Sequence, residues 1–364
     1  FADGANFGVS GAVSLNDVRG GATATIDKTT LSAGGDVSVS ATESATLTAE
    51  LTSELTSEGG AGDFGDGDSL AVGGFIATNL VLAGATATLS NSAVTTTGAG
   101  SDVTVEATNE ATIDASVDNA VSAGDTAVAV TLAFNTIGWQ SQNILFNTID
   151  ALIGDPAIAN AFGANTGSGA TAKILDTTVS AGGAVEVSAT AAAELSSDVN
   201  NQSEADASSD TGLVGGTGVS VGAVVSLNKV SSAAEASIGY GTGYAGAKTV
   251  SAGGGVAVSA TDSAQIAATL ALASSSAAST SNPFADGANF GVSGAVSLND
   301  VRGGATATID KTTLSAGGDV SVTATESATL SADLTSELRT AGGAGDFGDG
   351  DSLAVGGFIA TNLV

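Results

Sequence analysis

The sequence predicts an all-β chain and, within that class, a parallel β-solenoid (β-helix) built from degenerate repeats, with one short helical insertion. Three observations carry the prediction. Residues 1–81 recur at 284–364 with six substitutions (Ser40/Thr323, Thr48/Ser331, Glu50/Asp333, Thr56/Arg339, Ser57/Thr340 and Glu58/Ala341), so the chain is periodic at 283 residues. Inside that period, an alternating strand ending in Asn recurs four times. Hydrophobic residues make up 43% of the chain but aromatics only 4%. The apolar content is therefore mostly Ala, Val, Leu and Ile, which suit a narrow lumen better than a thick core.

The long period organises the chain: 1–283 is one full period and 284–364 the start of the next. Tandem self-similarity is the mark of a quasi-one-dimensional array whose units bury their faces against neighbours. The sequence shows no distinctive cap at Phe1 or Val364 and contains no Met. It is therefore expected to be an internal or processed piece of an array continuing in both directions.

The short repeat divides the period. Its strand reads VSGAVSLN to Asn16, GGFIATN to Asn79, VAVTLAFN to Asn135 and VGAVVSLN to Asn228, returning at Asn299 and Asn362. Its second element is a Gly turn followed by alternation, as in SAGGDVSVSA (32–41) and SAGGAVEVSA (180–189). The Asn-to-Asn spacings of 63, 56, 93 and 71 give quasi-repeats of approximately 1–68, 69–125, 126–213 and 214–283. The recurring Asn either stacks coil upon coil as an amide ladder or ends a strand in a turn; both readings are open. Within the strands, Val37, Val39 and Ala41 alternate with Ser38 and Ser40, and Gly-Gly or Gly-Asp punctuates the runs. Small apolar residues are expected inside and Ser/Thr outside. Coils of about 20–25 residues rising ~4.8 Å each would make a body roughly 70–90 Å long.

The insertion 138–167 breaks the strand pattern. Ile144, Leu145, Thr148, Ile149, Leu152 and Ile153 follow helical spacing, and Pro156 stops the run. A short amphipathic helix is expected. Either it covers one side of the solenoid, or Trp139, Ile144, Leu145, Phe146, Ile149 and Leu152 form a fibre–fibre contact.

The run VSLNDVRGGATATIDKTTLSAGGDVSVSA (13–41) resembles the repeats of very large bacterial secreted and cell-surface proteins of the filamentous-haemagglutinin and giant-adhesin type. The segment GWQSQNILFNTIDALIGDP (138–156) is similar to an insertion in the same proteins. The resemblance implies an exported β-solenoid fibre, extracellular or on the cell surface, serving adhesion, matrix or filament formation. It carries no catalytic residue across.

Composition narrows the chemistry. The chain has no His and no Cys, which removes the Ser-His-Asp triad, Cys nucleophiles, imidazole or thiolate zinc sites and disulfides. Eight Lys+Arg against 38 Asp+Glu leave a net charge of −30, which repels nucleic acid. No apolar run reaches the roughly 18 residues of a membrane span. The chain reads as a non-catalytic structural element that needs no cofactor. Its expected partner is itself, through tandem periods in one chain and through end-to-end and lateral association.

Calcium is the one candidate ligand. The loop GGAGDFGDGDS (59–69, repeated at 342–352) places Asp63, Asp66 and Asp68, and again Asp346, Asp349 and Asp351, among glycines. Carboxylates at close spacing on a flexible loop can converge on one Ca²⁺. The loop resembles the calcium-binding nonapeptide of toxin-type repeats, but Asp63 stands at its fifth position and Phe64 at the sixth, where Asp belongs, and a plain acidic turn is the competing reading. A calcium-dependent module binding glycans or a surface is the alternative function.

Overall fold

The computed structural model describes residues 5–58, 68–139, 168–209, 216–241, 248–280, 287–342 and 350–364. Each quasi-repeat makes one coil of two long strands joined by a short one. The first coil is β1 (Asn6–Asp27), β2 (Thr30–Ala33) and β3 (Val37–Ser57). The second is β4 (Ser69–Ser90), β5 (Ala93–Thr96) and β6 (Val103–Ala123). In the third, the opening strand is split into β7 (Thr126–Ile137) and β8 (Ser168–Leu175), followed by β9 (Thr178–Ala181) and β10 (Val185–Ser209). The fourth is β11 (Thr217–Gly239), β12 (Thr249–Ala252) and β13 (Val256–Thr280). The fifth is β14 (Ala288–Arg302), β15 (Ala305–Ile309), β16 (Thr313–Ala316) and β17 (Val320–Ala341), and β18 (Asp351–Leu363) opens a sixth.

Every strand pair is parallel, and each strand pairs with its counterpart in the next coil. A front sheet runs β1-β4-β7-β11-β14-β18, with β8 and β15 extending β7 and β14. A corner sheet runs β2-β5-β9-β12-β16, and a back sheet β3-β6-β10-β13-β17. Register holds without slip: Val37, Val103, Val185, Val256 and Val320 lie in one file across the back sheet. The front and back sheets face each other, and the corner sheet closes one end.

The coil is much larger than the sequence suggests. One turn takes 56 to 93 residues, the Asn-to-Asn spacing itself, instead of 20–25. Five rises of ~4.8 Å span only about 24 Å along the axis, while a 22-residue strand such as β1 is about 70 Å long. The molecule is a broad slab. The misreading comes from Gly-Gly pairs taken as turns. Gly20-Gly21 lies inside β1 and Gly73-Gly74 inside β4, held extended in the ladder between the two strands. The turns that matter are two stacked corners. One carries left-handed backbone at Lys28, Asn91, Asp176 and Lys311 (φ 48–52°). There Asp27 accepts hydrogen bonds from Asn91 Nδ2 (2.8 Å) and Ser90 Oγ (2.7 Å), which hold its carboxyl below the usual range. The other corner is the Ser-Ala-Gly-Gly turn between corner and back sheets.

Inward residues build four apolar clusters in a row between the sheets. The largest lies nearest the corner sheet, with Leu89, Ile174, Ile238 and files of Val and Ala. The next three centre on Ile113, Leu195 and Ile266, on Phe75 and Leu270, and on Val121 and Ala127. One expectation is overturned here. In the half of the front sheet away from the corner, Ser10, Ser14 and Asn16 face the lumen while Val9, Val13 and Leu15 face out. Once Asn16 points inward, the two-residue period of the strand sends every odd residue outward.

No helix occurs among the described residues, and none there is long and apolar enough to cross a membrane. The helix expected within the insertion 138–167, through Ile144, Leu145, Thr148, Ile149, Leu152 and Ile153, lies outside the described residues.

Candidate functional site

The lumen is partitioned by three polar files running along the solenoid axis, each between two apolar clusters. The most regular is the Asn file. Asn16 Nδ2 donates to Asn79 Oδ1 (2.9 Å), Asn79 to Asn135 (2.8 Å), Asn135 to Asn228 (2.9 Å), Asn228 to Asn299 (2.9 Å) and Asn299 to Asn362 (2.9 Å). All five bonds point the same way along the axis, so the amide dipoles align and reinforce one another. Asn79, Asn135, Asn228 and Asn299 are essentially inaccessible to solvent. Their second N–H finds a hydroxyl in three cases: Asn135 donates to Ser197 Oγ (3.0 Å), Asn228 to Ser226 Oγ (3.2 Å) and Asn299 to Ser297 Oγ (3.3 Å).

The second file lies further from the corner. Asn119 Nδ2 donates to Asn201 Oδ1 (2.8 Å), Thr131 Oγ1 bridges the two amides, and Ser203, Ser220 and Ser274 exchange hydrogen bonds at 2.7–3.3 Å. Sequence reasoning missed this file. Its signal was Val-x-Asn at Val117–Asn119 and Val199–Asn201, at matching places on β6 and β10.

The third file carries charge. Across the back sheet it reads Glu43, Asn109, Ala191, Asp262, Glu326. Asp262 is fully buried and accepts from Ser232 Oγ (2.6 Å) and from the Gly304 N–H (2.8 Å). Glu326 lies beside it, hydrogen-bonded to it, and its carboxyl is pushed up to about 7, first by desolvation and then by the bond to Asp262 and its charge. Glycine facing this file makes room: a Cβ on Gly20 in β1 would stand 2.6 Å from Glu43 Oε1, and one on Gly303, between β14 and β15, 2.6 Å from Asp262 Oδ2. Glu43 and Glu326 are the same position of the 283-residue repeat, one neighbouring Asn109 and the other Asp262.

This pair has a pH signature. The folded state holds the Glu326 proton more tightly than an unfolded chain, whose Glu titrates near 4.3. Its contribution is complete below about 4.3 and is lost as pH rises through about 7. The urea midpoint of Glu326→Gln is expected to lose a part of the decline that the parent shows between pH 4.5 and 7.5. The effect is small, because Glu326 is largely exposed in β17. Parallel curves for the two proteins would show that the pair does not share a proton.

The other sequence-predicted site residues are scattered or undescribed. Asp68 and Asp351 are exposed at the heads of β4 and β18, where Asp68 O accepts the Asn6 N–H (2.8 Å) and the Asp351 N–H donates to Gly287 O (3.1 Å). Asp63, Asp66, Asp346 and Asp349 lie outside the described residues, as do Ile144, Leu145, Phe146, Ile149 and Leu152. Among the described residues no group of three or more acidic side chains gathers around one point. Trp139 sits just after Gly138 (φ 73°) with Lys229 Nζ 5.0 Å and the Arg302 guanidinium 4.9 Å from its ring. Arg302 is in turn held by Asp300 through two hydrogen bonds of 3.1 Å. The Trp139 ring is thus engaged by cations of its own chain.

Comparison with protein families, with curated proteins and with solved structures finds no match, so the resemblance to the giant adhesins rests on the sequence motifs alone.

Proposed function

We propose that this chain is a segment of a non-catalytic β-solenoid filament of the extracellular or cell-surface kind, a structural or adhesive element. The observation that carries the reading is the seamless join between periods. β14 pairs with β11, and β17 with β13, in the register that β4 keeps with β1 and β6 with β3. The Asn file runs straight through the join, from Asn228 to Asn299 to Asn362. Among the described residues, the coil that begins the second period stacks on the coil that ends the first with no shift of register in the front or back sheet. A polymer of periods is then one continuous body whose interior is the stack itself, with no string of separate domains. The adhesive and extracellular assignment is supported by the resemblance of 13–41 and 138–156.

Chains of one, two and three periods test this directly. The axial length from small-angle scattering or electron microscopy is expected to grow by about 19 Å per 283 residues, four coil rises, at constant cross-section. Beads spaced by the diameter of an independent domain would overturn the reading.

A further inference from the structure

The front sheet turns an unusual face to solvent. Val9, Val72, Val128, Val221, Val292 and Val355 form one unbroken outward file across six coils. Two residues along, Val13, Ile76, Leu132, Val225, Val296 and Ile359 form another. Between repeat positions 7 and 15, the five outward positions on each of the six strands carry no charged residue. On β14, which has neighbours on both sides, Phe290 is 42% and Val296 38% exposed; the outward residues of β4, β7 and β11 are half-buried between their neighbours, and Thr78 at the margin of the face is buried. A shallow depression lined by Val219, Phe290 and Leu353 lies at its margin.

We propose that this face is a docking surface for a second copy of the same chain, two solenoids lying front to front with their axes side by side. It goes beyond the filament reading, since it concerns sideways contact and holds whether or not periods polymerise.

Area and charge select the occupant. Nine residues by six strands measure about 30 Å by 29 Å, on the order of 900 Å² in projection. A stable complex needs roughly 800 Å² from each partner. Isolated apolar side chains are ordinary on a protein surface, but a contiguous patch of this size marks an interaction site. The charge sits elsewhere. Glu106, Glu110, Asp114, Glu186, Glu194 and Asp198 point out from the back sheet, on the opposite side of the slab. Two chains of net charge −30 repel least when they meet front to front, because that approach holds the acidic faces furthest apart. The facing surfaces are flat, parallel-stranded and β-branched, so side chains of one sheet can settle between those of the other at the usual ~10 Å sheet separation.

The test uses the 364-residue chain. Sedimentation velocity at tens of micromolar is expected to show a dimer that weakens at least tenfold in Val128→Glu/Val221→Glu, with unchanged circular dichroism. The same two charges placed on the back sheet, as Thr112→Glu/Ser196→Glu, are expected to leave it intact. Because the chain has no cysteine, a single Val221→Cys is expected to form a disulfide dimer on oxidation, whereas Ser196→Cys is not. End-to-end stacking would survive the front-face charges and would overturn the proposal. So would a monomer that binds phosphatidylcholine vesicles and loses that binding in Val128→Glu/Val221→Glu, which would make the face a lipid-contacting one. If Val128→Glu/Val221→Glu unfolds, the cysteine pair decides: equal cross-linking through both faces, or none, refutes front-to-front docking.

Discussion

Replacing Asn228 with alanine is expected to destabilise the chain by about 3 kcal/mol, because a buried amide partner left unmatched costs about 1–3 kcal/mol. Asn228 accepts from Asn135 and donates to Asn299, so its loss breaks two bonds at once. Asn135 Nδ2 keeps Ser197, but Asn299 Oδ1 is left without its donor in a site closed to water. The file is also cut at its middle, which removes the mutual polarisation of the aligned amides. Asn16→Ala is the internal comparison. Asn16 is half-buried in the end coil and gives the file one bond, to Asn79; truncating it opens Asn79 Oδ1 to water from the end of the stack, so its loss is expected to cost under about 1 kcal/mol. Equal urea midpoints for the two variants would mean that the amides act one by one and only cap their own strands.

An alanine at Gly253 is expected to cost at least as much, about 3 kcal/mol or more, through a backbone collision of the severe kind. At the Ser-Ala-Gly-Gly corner the first glycine of each coil after the first lies on a carbonyl of the coil before it. A Cβ on Gly253 would press on the Gly182 oxygen, one on Gly182 on that of Gly98, and one on Gly317 on that of Gly253, all far inside van der Waals contact. Backbone cannot swing aside as a side chain can. The coils would have to part, straining the bonds from the Gly253 N–H to Ala181 O (2.9 Å) and from the Gly254 N–H to Gly183 O (2.8 Å). Gly34 holds the same place in the first coil, where a Cβ meets nothing within 4 Å. Gly34→Ala is therefore expected to be neutral, or to stabilise by about 0.4–1 kcal/mol through the unfolded chain. Melting temperatures of the two variants measure the contrast, and similar values would exclude stacking as the reason for glycine here.

These two corners and files explain what the sequence could and could not reveal. One Asn per coil makes the coil period readable as the interval between Asn residues, since like residues bond best to like across parallel strands. The length of a coil was misread because Gly20-Gly21 and Gly73-Gly74 look like turns to any local rule, and only the flanking strands keep them extended. The Asn119–Asn201 file escaped notice because the same position holds Ser53, Leu272 and Ser336 in other coils, so no repeat motif shows it. Asp262 and Glu326 are 64 residues apart, and their pairing depends on register that no short window contains. The apolar front was hidden for a different reason. Alternation says that Val13 and Leu15 share a face opposite Ser14 and Asn16, but not which face is inside; the inward Asn settles it.

The breadth of the coil also governs how the molecule would respond to tension. A pull along the axis acts on the chain where it leaves the last coil, so coils peel one at a time and never share the load. A coil of 63 residues that comes away gives up about 4.8 Å of height and releases a tether on the order of 200 Å when drawn straight. Such a body is short at rest and very long once yielding, a reel more than a rod, with the Asn file and the glycine corner acting as the catch that each turn must release.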